Sequence, residues 1–231
     1  DPGGCRGFFG CTRKGAEPGD VKYTHVIWDI DNTVLDTEEE LLSSLSDTLK
    51  EKYGIERSEE ELWFAMVMSA RETVRCLGVP EGEKLWLCWN RRKRNYQEKV
   101  TVFSGVEEAL IRLRGAGVHL GIITARTQEE YRQDFITLGL ERYFETVLCA
   151  DSTQRQKPDA EPVDRYRALT GVEKGEILMV GDSASDMQCC RAAGICGGLA
   201  LWGKKGDLSV PADYHFSTPA AVATAVLESE G

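Results

Sequence analysis

Apolar residues recur along this chain with two different rhythms, and the change of rhythm divides it. A short apolar run at 23–28 ends abruptly in Asp29, Asp31 and Thr33, within the stretch THVIWDIDNTVLDT at 24–37. The run has the length of a buried strand, and nothing in core packing calls for two acids at its end. From Thr37 the pattern turns helical. Thr37 with Glu40 predicts a capping box, in which the hydroxyl and the glutamate satisfy amides at the helix start, and Leu41, Leu42, Leu45 and Leu49 form one apolar face behind it. Ser58 with Glu61 and Ser69 with Glu72 repeat that signal. Gly78 and Pro80 stop the second of these, and Leu85, Trp89 and Tyr96 mark a fourth helix. No strand intervenes, so residues 37–99 read as an all-helical insertion.

From Phe103 onward helices alternate with short apolar strands, the pattern of a parallel sheet covered on both faces. Strands are predicted at 120–123, 146–149 and 177–180, with further ones at 199–202 and 214–216. Ser104, Thr127, Pro162 and Thr218-Pro219 open the intervening helices, and Gly139 and Gly194 close two of them. The expected architecture is α/β: a doubly wound parallel sheet, Rossmann-like, built from 21–36 and 100–231, with the helical cap at 37–99. Residues 1–20, with six glycines and two prolines and no period, read as a flexible tail.

Composition narrows the function classes. At 231 residues the chain buries a substantial core as one large domain or two smaller ones. A formal net charge of −10 opposes any general attraction to nucleic acid or to an anionic membrane. An anionic small substrate then requires a local cation. No apolar run approaches the ~18 to 20 residues of a membrane span, and the first twenty residues lack a secretory core, so a soluble cytoplasmic protein is expected. Eight scattered cysteines without paired C-x-x-C spacing read as buried or part-buried thiols rather than as a disulfide framework.

Polar residues gather where such a sheet carries its sites, beyond the carboxyl ends of the strands. Asp29 and Asp31 follow the first strand, Thr124 follows 120–123, Lys157 lies after 146–149, and Asp182 and Asp186 follow 177–180. Acids, a hydroxyl and an ammonium in this arrangement suit phosphoryl transfer. A carboxylate approaching a phosphate is repelled by ~4 kcal/mol per pair of charges at ~4 Å and an effective dielectric of ~20, so a divalent cation is needed. Asp29, Asp182 and the Asp31 region offer the oxygen ligands that Mg2+ prefers. One residue apart, Asp29 and Asp31 point to the same side of extended backbone, so one can attack while the other moves the proton. Lys157, Thr124 and nearby amides, that of Ala125 among them, can hold the phosphoryl oxygens.

Four ordered stretches, DIDNT at 29–33, IITAR at 122–126, KP at 157–158 and GDSASD at 181–186, resemble the motifs of the haloacid-dehalogenase-like hydrolases. The helical insertion resembles the cap of the phosphoglycolate phosphatase branch. The resemblance implies Asp29 as nucleophile, Asp31 as acid/base with its backbone carbonyl on Mg2+, and Thr124 and Lys157 as phosphate contacts. It further implies Asp182 as metal ligand with Asp186 in support, and a small phosphorylated metabolite as substrate. An aspartate at position 31 separates the chain from the dehalogenase and phosphonatase branches. Asn32 and Ala160 depart from the pattern, standing where many relatives carry glycine and a second proline.

Other candidates weigh less. Arg71 lies in a cap turn where relatives often read substrate, but an arginine in a first helical turn is more often simply solvated. The charges of 91–94 spread around a helix and read as a solvated face. Trp63, Trp86 and Trp89 read as cap core, and His25, His119 and His215 as structural. A phosphomutase of the same fold and a non-catalytic binding module are the alternatives to a Mg2+-dependent phosphatase.

Overall fold

The computed structural model describes residues 22–66, 70–203 and 208–228; the tail expected at 1–20 and the cap residue Ser69 lie outside them. Eight strands are present among the described residues: β1 His25–Trp28, β2 Leu35–Asp36, β3 Thr101–Val102, β4 His119–Ile123, β5 Thr146–Leu148, β6 Ile177–Gly181, β7 Cys196–Ala200 and β8 Tyr214–Phe216. Six of them form one sheet in the order β5-β4-β1-β6-β7-β8, parallel at every pairing. Strand order runs outward in both directions from β1, which makes the carboxyl end of β1 a switch point where flanking loops diverge and leave a crevice.

Strand alternation feeds two separate cores. Val26, Trp28, Leu120, Ile122, Leu178 and Val180 face α5 (Val106–Gly115) and α9 (Pro219–Leu227), packing with Leu110, Leu113, Val222 and Val226. Ile27, Ile177 and Met179 face the other way, toward Val163 and Tyr166 of α7 (Glu161–Thr170) and Met187 and Cys189 of α8 (Ala184–Ala193). With both faces buried, these strands read as nearly continuous apolar runs.

The insertion consists of α1 (Glu38–Tyr53), α2 (Glu59–Leu62) leading into a 3-10 turn at Trp63–Met66, α3 (Ala70–Leu77), α4 (Gly82–Lys93) and a 3-10 segment at Arg94–Lys99. Leu42, Leu45, Leu49, Leu62, Leu85 and Trp89 form a third core of their own, against which Trp63 and Trp86 pack. Trp89 Nε1 donates to Ser44 Oγ at 3.0 Å, so the one polar atom of that indole is satisfied inside the cluster. The two chain crossings between insertion and sheet are joined by the antiparallel pairing of β2 with β3.

Several expected element ends are corrected. Thr37 stands at the start of α1 but makes no side-chain cap bond, its ψ of 9° lying far from the extended backbone of the boxes at Ser58 and Thr127, and Glu40 turns toward the Arg126 guanidinium. Ser104 caps nothing; Gly105, at φ +84°, starts α5. Thr127 and Glu130 do form the expected box, but the helix behind them is α6 (Gln128–Glu130) followed by a π turn at Tyr131–Phe135. The strand expected at 199–202 lies at Cys196–Ala200, its start hidden by two glycines. The ribbon of β2 and β3 was not foreseen, since two residues carry no period. His25, His119 and His215 sit in strands, with the His25 and His119 rings 4.7 Å apart and tilted by 31° at the opposite end of the sheet from the acids. Among the described residues, Cys149, Cys189, Cys190 and Cys196 are buried as thiols and Cys88 is half-buried, but Cys76 is exposed, contrary to the expectation.

Candidate active site

The loop beyond β1 is shaped by a compact turn. Asp29 N donates to Val180 O at 2.9 Å, extending the ladder one residue past the strand. Ile30 is fully buried with the α5 and α9 core, and its carbonyl accepts from the amides of Val34 and Leu35, both at 2.9 Å. The turn passes through Asn32 at φ +55°, left-handed backbone that glycine or asparagine tolerates best. This accounts for asparagine where the resembling family often has glycine.

Asp29 is drawn to Lys157, whose Nζ lies 2.8 Å from Asp29 Oδ1 and 2.6 Å from Asp186 Oδ1. The same ammonium donates to Ile123 O at 3.3 Å, tying the site to the end of β4. Asp186 is held from below: its Oδ2 accepts from Ser183 N at 3.1 Å and Ser183 Oγ at 2.5 Å in the capping box that opens α8. A Cβ on Gly181 would lie 2.4 Å from Asp186 Cγ, so only glycine lets the carboxylate fold back under the strand end.

Carboxylate oxygens of Asp29, Asp182 and Asp186 lie within 4.8 Å of one another. Against these three acids stands the single ammonium of Lys157, which leaves an excess of two negative charges when all are ionised. Burial pushes the Asp29 carboxyl up to about 7, with Lys157 pulling the other way and Asp186 and Asp31 adding to the rise. Burial, then Asp186 and Asp29, likewise hold Asp182 well above the usual carboxylate range. For Lys157 the burial that disfavours its charge is outweighed by Asp186 and Asp29, and the ammonium is strengthened. A set of hard oxygen donors, crowded and short of positive charge, fits a divalent cation such as Mg2+.

Asp31 does not share that cluster through its side chain. Its carboxylate is gripped by Arg126, with Nε at 3.2 Å from Oδ1 and 3.0 Å from Oδ2 and Nη2 at 2.7 Å from Oδ1. Burial alone would raise this carboxyl, but the guanidinium more than offsets it and holds Asp31 below the usual range. Asp29 and Asp31 therefore have different cations, a division that spacing alone does not reveal. Arg126 also bonds Asp134 Oδ2 at 2.8 Å, and its Nη2 lies 3.9 Å from Glu40 Oε2. Sequence reasoning quoted Arg126 only as the last letter of a motif. The available signal was its place two residues after Thr124, at a strand end.

The remaining candidates fall as follows. Thr124 is buried at the end of β4, where its amide donates to Leu148 O at 3.0 Å and its Oγ1 accepts from Arg126 N at 3.2 Å. Ala125 is exposed in the turn between them. Arg71 belongs to the first turn of α3, and its side chain lies outside the described residues. Of the basic run, Arg92 pairs with Asp47 and Glu51, Lys93 sits over the Trp89 ring and Arg94 bonds Gln133.

Comparisons with known proteins agree with this architecture. A pyrophosphatase PpaX from Bacillus velezensis is 27% identical over 84% of this chain and 90% of its own length. Another, from Bacillus pumilus, is 28% identical over 79% of this chain and 85% of its own. The solved structure of a haloacid dehalogenase-like family hydrolase from Streptococcus pneumoniae superposes with a TM-score of 0.76 at 17% identity, covering 87% of this chain and 97% of that one. A family model described as haloacid dehalogenase-like hydrolase matches residues 26–197, most of the chain, and the chain belongs to that family.

Proposed function

We propose that the protein is a Mg2+-dependent phosphatase that hydrolyses a small phosphomonoester through an aspartyl-phosphate intermediate. The observation that carries this reading is the cluster of Asp29, Asp182 and Asp186 around Lys157 at the carboxyl ends of the strands. Asp29 and Asp182, with the backbone carbonyl of Asp31, would hold the cation. When bound it neutralises charge on the phosphoryl oxygens and lets an anionic nucleophile approach an anionic substrate.

Asp29 attacks phosphorus in line, and the bond from phosphorus to the ester oxygen breaks. Asp31, held ionised by Arg126 at rest, takes up a proton from solvent as the anionic substrate arrives, gives it to that oxygen, then takes one from the water that attacks the aspartyl phosphate, so phosphate and the free carboxylate of Asp29 are restored. Lys157 offsets charge on the transferring oxygens, and the Thr124 hydroxyl and Ala125 amide bind the same group. Asp186 keeps Lys157 in place. The insertion at 37–99 acts as a cap that excludes bulk water, and Arg71 is a candidate reader of the substrate. Thiols rather than disulfides at the described cysteines suit a reducing compartment, so we place the enzyme in the cytoplasm.

The test is a panel of phosphomonoesters with Mg2+, using Asp29→Asn as control. Phosphate release by the wild type and its loss in the variant are expected; wild-type turnover in the variant would overturn the assignment. The two curated relatives named pyrophosphatase favour a second reading, with inorganic pyrophosphate as the substrate, and it belongs in the panel. A hexose 1-phosphate arm, assayed for the isomer rather than free phosphate, identifies a mutase.

A further inference from the structure

Arg126 stands between Asp31 and the helical insertion. Its backbone is fixed on both sides, the amide donating to Thr124 Oγ1 at 3.2 Å and the carbonyl accepting from Ala150 N at 2.8 Å. Its guanidinium is buried, whereas the Asp31 side chain it grips is 30% exposed and so reaches the open side of the loop. Of the three contacts to that carboxylate, Oδ1 receives two and Oδ2 one. The far side of the fork is held by Asp134 of the π turn, which the insertion contacts. Nη1 bonds Asp134 Oδ2 at 2.8 Å, and Asp134 Oδ1 in turn accepts from Gln97 Nε2 at 2.7 Å, near the end of the insertion. Glu40, near its beginning, lies 3.9 Å from Nη2.

We infer that Arg126 is a positioning residue for Asp31, fixing the plane of its carboxylate with Oδ2 left to exchange the proton, and that Asp134 and the insertion fix Arg126. The inference rests on the phosphatase reading above. A planar guanidinium sets both the distance and the plane of a carboxylate, which a point-charge ammonium does not. Oδ2, with one donor, keeps the freer lone pairs. A proton-transfer group displaced by ~1 Å loses on the order of 10²-fold in rate, so a fixed fork matters to the step that Asp31 performs. Both chain crossings into the insertion bear on the fork, so its position and that of Asp31 are set together.

The discriminating measurement is kcat/KM, which counts steps only up to departure of the leaving group, on two esters with Mg2+. p-Nitrophenyl phosphate loses its phenolate without a proton, whereas an alkyl phosphate needs one. Arg126→Gln is expected to lower kcat/KM about 10²-fold for the alkyl ester and under about threefold for the aryl ester. Arg126→Lys, which restores charge without the fork, recovers only part of the loss. Asp134→Asn, a change outside the buried core, shifts the ratio in the same direction by a smaller factor and serves if Arg126→Gln fails to fold. Equal losses on both esters, full recovery by lysine, or a gain on the alkyl ester would overturn the positioning role. Absence of phosphate release by the wild type from either ester and from the wider panel would instead remove the phosphatase reading, and this inference with it.

Discussion

Glu40 illustrates how far a residue's role depends on what approaches it in space. Its spacing from Thr37 reads as half of a capping box, yet the structure turns it inward to the Arg126 guanidinium. Burial pushes its carboxyl up to about 7, with Arg126 pulling the other way. The unfolded chain ionises this group near ~4.3, so between that value and about 7 the native state holds a proton the unfolded state has lost. Stability therefore falls as pH rises through that window and levels off above it. Glu40→Gln removes this dependence: thermal melts should show the variant gaining on the wild type by roughly 1–3 kcal/mol more at pH 8 than at pH 5. An equal offset at both pH values would mean that Glu40 is ionised throughout. At this scale the sequence was legible wherever strand ends dictate position, as for Asp29, Thr124, Lys157, Asp182 and Asp186. It was silent on the pairing of Asp31 with Arg126, 95 residues away, because charge spacing within one segment carries no sign of a partner in another.

Helix starts offer a comparison between elements. Ser58 and Ser183 each form a capping box, the first expected from its spacing to Glu61 and lying on the exposed edge of the insertion, the second not foreseen and lying under the carboxylate cluster. Replacing either with alanine removes an acceptor for helix amides and costs about 1 kcal/mol. Only at Ser183 does the hydroxyl also donate to Asp186 Oδ2, whose other oxygen holds Lys157. Ser183→Ala should therefore lower both the urea midpoint and kcat, whereas Ser58→Ala lowers the midpoint alone. Matching kcat losses in the two would detach the α8 cap from the chemistry. Capping chemistry is local, which is why the boxes of Ser58 and Thr127 could be read from sequence; Ser183, with aspartate rather than glutamate three residues on, escaped that reading. What defeats such reading is tertiary: the π turn behind Thr127, where Tyr131 stacks on Phe135, and the start of β7. Gly197 and Gly198 there leave room for Met187, Cys190 and Phe216, and erase the apolar signal.

At the scale of the molecule, the described buried apolar residues divide into three clusters, two on the faces of the sheet and one confined to the insertion. The change of hydrophobic rhythm at both ends of the insertion predicts an all-helical segment there, while the β2 and β3 ribbon that joins its two crossings was too short to foretell. If the insertion is the cap proposed above, stability local to its cluster would give it its own opening equilibrium, through which a substrate would reach a site at the switch point. Leu45 sits fully buried in the insertion's cluster and in neither of the others. Leu45→Ala should cost roughly 2–5 kcal/mol of that cluster's stability through lost contacts and the cavity left behind. Hydrogen exchange resolves where the cost falls. Amides of α1 and α4 should lose protection while those of β1, β4 and β6 keep theirs, because no side chain of the sheet's two cores has lost a neighbour. Equal loss in the strands would mean that insertion and sheet unfold as one unit. The cap would then have no opening of its own, and substrate entry would have to come from the loops at the strand ends.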